Sequence, residues 1–247
     1  MAYFEYLDSP YPVREDLAAA HRAYWRTLSE PGNWFSGAER VAIAAEVRSA
    51  VDCIFCQQRK QALSPYTLTG EHSAGDDLPP RLIDAVHRVV TDQARITRAW
   101  VDDNAANGLS PERYAELVGI VVTVFSIDEF NRALGLAPEP LPQPSPGEPD
   151  HYRPALAHSG EGFLPMLGAD DATGAEVDLW PAGRNSNVLR ALSLVPDAVR
   201  SWRDVSDAQY LPFRKIMQFG AETGRAINRM QIELVAGRVS SINECFY

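Results

Sequence analysis

Between residues 138 and 154 the chain carries seven prolines, in Pro-Glu-Pro-Leu-Pro-Gln-Pro-Ser-Pro-Gly-Glu-Pro and the Pro154 that follows. Each proline lacks an amide donor and fixes φ at about −65°, so neither a helix interior nor a central strand can pass through such a stretch. The spacing predicts a semi-extended linker over 137–154. It divides the chain into a first unit, 1–136, and a second, 155–247.

Both units read as helix. Val13, Leu17, Ala20, Tyr24 and Trp25 recur at helical spacing. Ser36 and Glu39 have the spacing of a capping box, opening a helix through Val41, Ile43, Ala44, Val47 and Val51. Leu82, Ile83, Val86, Val89 and Val90 predict a third helix, and 96–103 a fourth closed by Asn107-Gly108. Ser110-Pro111-Glu112 is a helix start, with an N-cap, a proline at the first helical position and an acid in the first turn. Its helix is expected to run to Leu134 despite the β-branched stretch at Val121–Phe125, with Gly135 as the stop. The second unit begins irregularly around Gly160, Gly162, Gly168 and Gly174. Helices are then expected over 187–194, 196–210 and from about Gly224. The fold class expected is all-α.

Hydrophobic residues make up 45% and charged residues 23%, ordinary for a globular chain with a real core. A net charge of −10, with no basic stripe to offset it, argues against nucleic acid as a partner. No apolar run approaches the ~18 residues of a membrane span. The acidic N-terminus, Met-Ala-Tyr-Phe-Glu-Tyr-Leu-Asp, lacks the basic and apolar regions of a signal peptide, so a cytoplasmic location is expected.

Three cysteines do not make a disulfide framework. Cys53-Ile-Phe-Cys56 is a Cys-x-x-Cys pair, in which the two side chains share a helix face and lie close enough to form a disulfide. With Asp52 as N-cap, Cys53 would sit at a helix N-terminus, where the dipole lowers a thiol pKa. The alternative is two buried thiols filling a helix seam. Zinc would need two further ligands, and the five histidines (21, 72, 87, 151, 158) show no paired spacing, so no metal site and no cofactor are assigned. His72, after Glu71 in a glycine-rich loop, reads as a solvated loop residue, the lesser alternative being an approach to the Cys53–Cys56 pair from outside the motif; His87, between Val86 and Val89, reads as a half-buried helix residue, with facing the dithiol the lesser alternative.

The chain's last residues repeat the first motif. Val239-Ser-Ser-Ile-Asn-Glu-Cys245-Phe-Tyr247 aligns with Val47-Arg-Ser-Ala-Val-Asp-Cys53-Ile-Phe55, and Cys56 has no partner in the second copy. Glu233 lies 12 residues before Cys245 in an apolar helix. A continuous helix would separate them by about 18 Å, so they meet only if the chain turns near Asn243. There a buried carboxylate can accept a thiol proton; otherwise Glu233 pairs with Arg229 on its own helix.

Glu233-x(11)-Cys245 and Cys53-x-x-Cys56 each resemble part of Glu-x(11)-Cys-x-x-Cys-x(3)-His, the active-site signature of the alkyl hydroperoxidase D and carboxymuconolactone decarboxylase superfamily. The likeness extends over most of both units. Asn187-Val-Leu-Arg-Ala-Leu and Pro196-Asp-Ala-Val resemble the segment before the active-site helix. Leu109-Ser-Pro-Glu and Phe125-Ser-Ile-Asp-Glu-Phe-Asn-Arg132-Ala-Leu-Gly resemble the closing helix. The resemblance implies tandem all-α units, the second incomplete, and reduction of hydroperoxides through a cysteine pair that an external dithiol regenerates. It also implies a homo-oligomer. Carried over, Glu233 matches the proton-relay glutamate and Cys245 the first, resolving cysteine. Cys53 and Cys56 match both cysteines of the first unit, but Val41 stands at its glutamate position, with Glu39 and Glu46 out of register, and Lys60 at its histidine position.

Some members resemble selenoproteins, with selenocysteine, encoded by UGA, at the second cysteine. The expectation is therefore a chain truncated after Tyr247, which would leave this form weak or inactive as a peroxidase. Against it stand an arbitrary boundary and a pseudoenzyme that ends there. The alternative function is a non-catalytic helical scaffold or redox sensor with degenerate cysteine pairs. A decarboxylase is a weaker third reading, because such enzymes generally do not depend on the pair.

Overall fold

A computed structural model describes residues 3–64, 67–73, 75, 77–180, 186–212, 215–216, 218–220 and 222–242. The fold is all-α. Among the described residues there are nine α-helices: α1 (Glu15–Ser29), α2 (Gly37–Val51), α3 (Ile54–Gln61), α4 (Pro80–Thr91), α5 (Arg98–Ala106), α6 (Pro111–Ala133), α7 (Asn187–Arg190), α8 (Pro196–Gln209) and α9 (Arg229–Ile242). The one β pairing among them is an isolated bridge between His158 and Met166.

The longest helix, α6, is the axis of the packing. Leu117, Ile120, Val121, Val124 and Ile127 are buried along it, and α2, α4 and α8 lie against it. A helix apolar on several faces needs neighbours on several faces, and this explains how the Val121–Phe125 run stays helical. The Ser110 hydroxyl accepts the Arg113 amide, Pro111 takes the first turn, and Gly135, at φ +74°, follows the end. The expected capping box on α2 also forms: Ser36 accepts the Glu39 amide at 3.3 Å, and Glu39 accepts the Ser36 amide at 2.9 Å.

The main core joins Trp25 and Leu28 of α1, Ile43 and Val47 of α2, Val86 of α4 and the inner face of α6. A second apolar cluster gathers Leu167, Leu179, Leu189, Leu194, Val195 and Val199 against Ala115 of α6, while α8 packs on α1 and α6. The proline-rich segment between them has no helix or strand and is pinned to the first helices. The Trp25 indole donates to Pro140 O (2.9 Å), Ser145 N to Ser29 O (2.7 Å) and His151 N to Asn33 O (2.8 Å).

Two expected helices are shorter than their sequence patterns. Residues 187–194 give only the single turn of α7, because the Ser193 hydroxyl donates to Arg190 O and accepts from Leu167 N, drawing the chain into the second cluster. The last helix begins at Arg229 rather than near Gly224, which has φ +67°. No helix is long and apolar enough to cross a membrane among the described residues.

Candidate functional site

The α2–α3 junction sets the cysteines. Helix α2 ends at Val51 with Asp52 as its C-cap, and Cys53 itself is the N-cap of α3. Asp52 therefore does not cap the cysteine helix, which corrects the expectation from sequence. The outcome for the sulfur is similar, since Cys53 still stands at the start of α3 with amides around it. Cys53 and Cys56 are both reduced and buried.

Neither His72 nor His87 sits where its sequence neighbourhood places it. His87 is fully buried, and its Nδ1 lies 3.2 Å from Cys56 Sγ. Its Nε2 lies 2.5 Å from Oε1 of Glu46, a buried α2 residue whose other oxygen accepts the Gly75 amide at 3.2 Å. His72 lies over the pair, with Nδ1 3.8 Å from Cys53 Sγ and 3.5 Å from Cys56 Sγ, and Nε2 3.1 Å from Asp84 Oδ1 of α4. The two imidazoles pack with centroids 4.1 Å apart. The loop reaches this position by running close over Phe55. The His72 ring meets the Phe55 ring edge-on, and a Cβ on Gly70 would come within 2.5 Å of that ring.

Arginines complete the surroundings. Arg59, on α3 and fully buried, donates to Asp84 Oδ1 at 2.6 Å and to Cys56 Sγ at 3.6 Å. Arg88 donates to Asp84 Oδ2 at 2.9 Å. Arg95 donates to the carbonyls of Arg59, Lys60 and Ala62, tying down the end of α3.

This environment drives the two histidines apart. Burial alone lowers the His72 pKa, but the Asp84 carboxylate and the two sulfurs outweigh it and raise it to about 10, so the ring is an imidazolium. For His87 burial dominates over the Glu46 contact, and the charged ring of His72 adds to it, so its pKa falls and the ring is neutral. Asp84 is held well below the usual carboxylate range: burial opposes this, but His72, Arg88 and Arg59 prevail. Burial pushes the Cys53 thiol up, yet the Cys56 and Ser73 amides and His72 bring it down to about 7.

Neutral His87 facing a carboxylate carries its proton on Nε2 and donates it to Glu46. The Nδ1 lone pair is then directed at Cys56, completing a base–thiol pair oriented by an acid. Cys56 also borders an open cleft of about 250 Å³, lined by Val51, Gln57, Lys60, Val90, Thr91 and Phe125.

The other expected site residues separate from this cluster. Glu39 belongs to the capping box and pairs with Arg113 at 2.7 Å. Glu233 is exposed and pairs with Arg229 on its own helix (2.5 Å), accepting also from the Tyr210 hydroxyl (2.7 Å). Cys245 and Asn243 lie outside the described residues. Sequence spacing marks none of Glu46, Asp84 and Arg59 as a site residue and favours positions away from the pair for His72 and His87. One signal was available: Asp84, His87 and Arg88 put three polar groups at i, i+3 and i+4 on a helix that also buries Leu82, Ile83, Ala85 and Val86.

No protein-family model, no curated protein and no solved structure matches this chain.

Proposed function

We propose that the protein is a thiol-dependent oxidoreductase that reduces hydroperoxides through Cys53 and Cys56. The observation that carries this reading is the buried chain from Glu46 through His87 to Cys56. It supplies an acid and a histidine from positions other than those the superfamily resemblance would use. His87 Nδ1 takes the Cys56 proton, and the thiolate attacks the outer oxygen of the hydroperoxide. The O–O bond breaks, and the departing alkoxide takes the proton from His87 and leaves as an alcohol. Cys56 is left as a sulfenic acid. The Cys53 thiolate attacks that sulfur, the S–O bond breaks, the hydroxide takes a proton from solvent and leaves as water, and a Cys53–Cys56 disulfide remains. An external dithiol returns the pair to its reduced form. The apolar wall of Val51, Val90 and Phe125 in the cleft at Cys56 favours an organic hydroperoxide.

The test is peptide mapping of a metal-free, reduced Cys245→Ser protein after one equivalent of an alkyl hydroperoxide. The expected product is an intramolecular Cys53–Cys56 disulfide, formed in step with alcohol release. Two thiols that survive excess peroxide would favour the non-catalytic scaffold reading.

A further inference from the structure

Four soft or borderline donors converge at the same place: the sulfurs of Cys53 and Cys56 and one ring nitrogen each from His72 and His87, all within 4.8 Å of one another. Sequence spacing gives no hint of this, because the histidines come from a loop and from α4, 16 and 31 residues beyond Cys56. Three of the four sulfur–nitrogen separations are 3.2, 3.5 and 3.8 Å, and the fourth lies within 4.8 Å. In a tetrahedral zinc site the ligand bonds are ~2.3 Å to sulfur and ~2.0–2.1 Å to nitrogen, which sets sulfur–nitrogen edges of about 3.6 Å. The donors therefore stand close to where zinc would hold them.

The surroundings point the same way. Metal-binding histidines characteristically present their second ring nitrogen to a carboxylate, which fixes the ring and leaves the other lone pair for the ion. Both rings face a carboxylate here, His72 to Asp84 at 3.1 Å and His87 to Glu46 at 2.5 Å; neutral His87 offers its Nδ1 lone pair directly, and the ion displaces the Nδ1 proton of His72. N–H donors from Ser73 and Arg59 are directed at the two sulfurs, as suits thiolates. Two thiolates balance the charge of a divalent ion, and an S₂N₂ tetrahedron of this kind selects zinc over hard, oxygen-seeking cations.

We propose that the reduced protein binds one zinc ion through Cys53, Cys56, His72 and His87. With four protein ligands the site is closed, with no position left for substrate. Metal binding needs only these donors and stands without the peroxidase reading. Its consequence for activity rests on that reading: zinc occupies the lone pairs of both sulfurs and of His87 Nδ1, so the loaded protein is held out of peroxide chemistry.

Cobalt(II) titration of the metal-free, reduced Cys245→Ser protein tests the site. The expected result is one ion per chain, a sulfur-to-cobalt charge-transfer band and the intense visible bands of a tetrahedral ion, all lost on adding zinc. Asp84→Asn, which leaves all four ligands in place, should weaken binding by about 10–100-fold. Absence of the charge-transfer band in the parent protein, or bands that survive both Cys53→Ser and His87→Ala, would overturn the proposal. The two readings fail separately. A metal-free dithiol that ignores hydroperoxide while cobalt binds defeats the peroxidase alone. One that is oxidised without ever binding cobalt defeats the metal site alone.

Discussion

Two histidines of the same composition, with ring centroids 4.1 Å apart, are held in different charge states by their neighbours. His72 faces Asp84 and two sulfurs and is charged, whereas His87 is buried more deeply against a single carboxylate and is neutral. Acid and base roles are commonly divided between such pairs. Burial raises the Cys53 thiol, but the Cys56 and Ser73 amides and His72 bring it down to about 7. In metal-free, reduced Cys245→Ser protein the thiolate absorbance at 240 nm should therefore include a rise centred near pH 7. Thiolate that appears only around the ordinary value of about 8.5 would show that the amides and His72 do not act on Cys53. Replacing His72 by Asn removes one of those influences and should move that rise upward.

Helix starts were the most legible elements. Ser36–Glu39 and Ser110-Pro111-Glu112 are local signals, complete within four residues, and both form as read. The start of α2 also depends on a contact that no local signal contains. A Cβ on Gly37 would lie 2.3 Å from Ser29 O and 2.8 Å from Ser145 O, where the proline-rich strap crosses the end of α1. Gly37→Ala should destabilise the fold by about 1–3 kcal/mol despite the better helix propensity of alanine. Ser36→Ala should cost about 1 kcal/mol through the lost cap. Denaturant melts of the two variants measure both, and an unchanged midpoint for Gly37→Ala would mean that the strap yields. The candidate site was less legible for the same physical reason. Cys53 and Cys56 are a local motif and could be read, but Glu46, His72, Asp84 and His87 reach them from α2, a loop and α4. Helical periodicity could place His87 near an apolar face, but which helix that face meets depends on how α2, α4 and α6 pack. Glu233 is an exposed partner of Arg229, the alternative its helix spacing offered, and the Cys245 it was set against lies outside the described residues.

At the scale of the molecule, two buried polar groups tie α8 and α6 to the first helices. Arg40 of α2 and Glu116 of α6 form a buried pair at 3.2 Å, and Glu116 also accepts the Trp34 amide at 2.6 Å. Glu116→Ala would leave Arg40 buried without its partner, at a cost of about 3–5 kcal/mol. His21 of α1 is wholly buried, between Tyr6 at 2.6 Å and Gln209 of α8 at 3.1 Å, and burial lowers its pKa to about 4. As a neutral ring it accepts from the Gln209 amide and donates to Tyr6, and protonation breaks the first of these bonds. Because the folded value lies below the unfolded one of about 6.5, the unfolded chain binds the proton first as the medium acidifies. The contribution of neutral His21 is complete above pH 6.5 and declines as the pH falls towards 4, by about 3 kcal/mol in total. His21→Gln should flatten that part of the stability–pH curve measured by urea melts, whereas an unchanged slope would show that another group carries it. The proposed acid–base relay would reach the first cysteine pair from α2 and α4 through Glu46 and His87. It is tested most directly by the rate at which metal-free Cys245→Ser protein forms its Cys53–Cys56 disulfide with an alkyl hydroperoxide at neutral pH, compared in the Glu46→Gln, His87→Ala and Glu39→Gln variants. The relay predicts a loss of at least about 10²-fold for His87→Ala, a clear loss for Glu46→Gln and none for Glu39→Gln. Equal rates in all the proteins would contradict it.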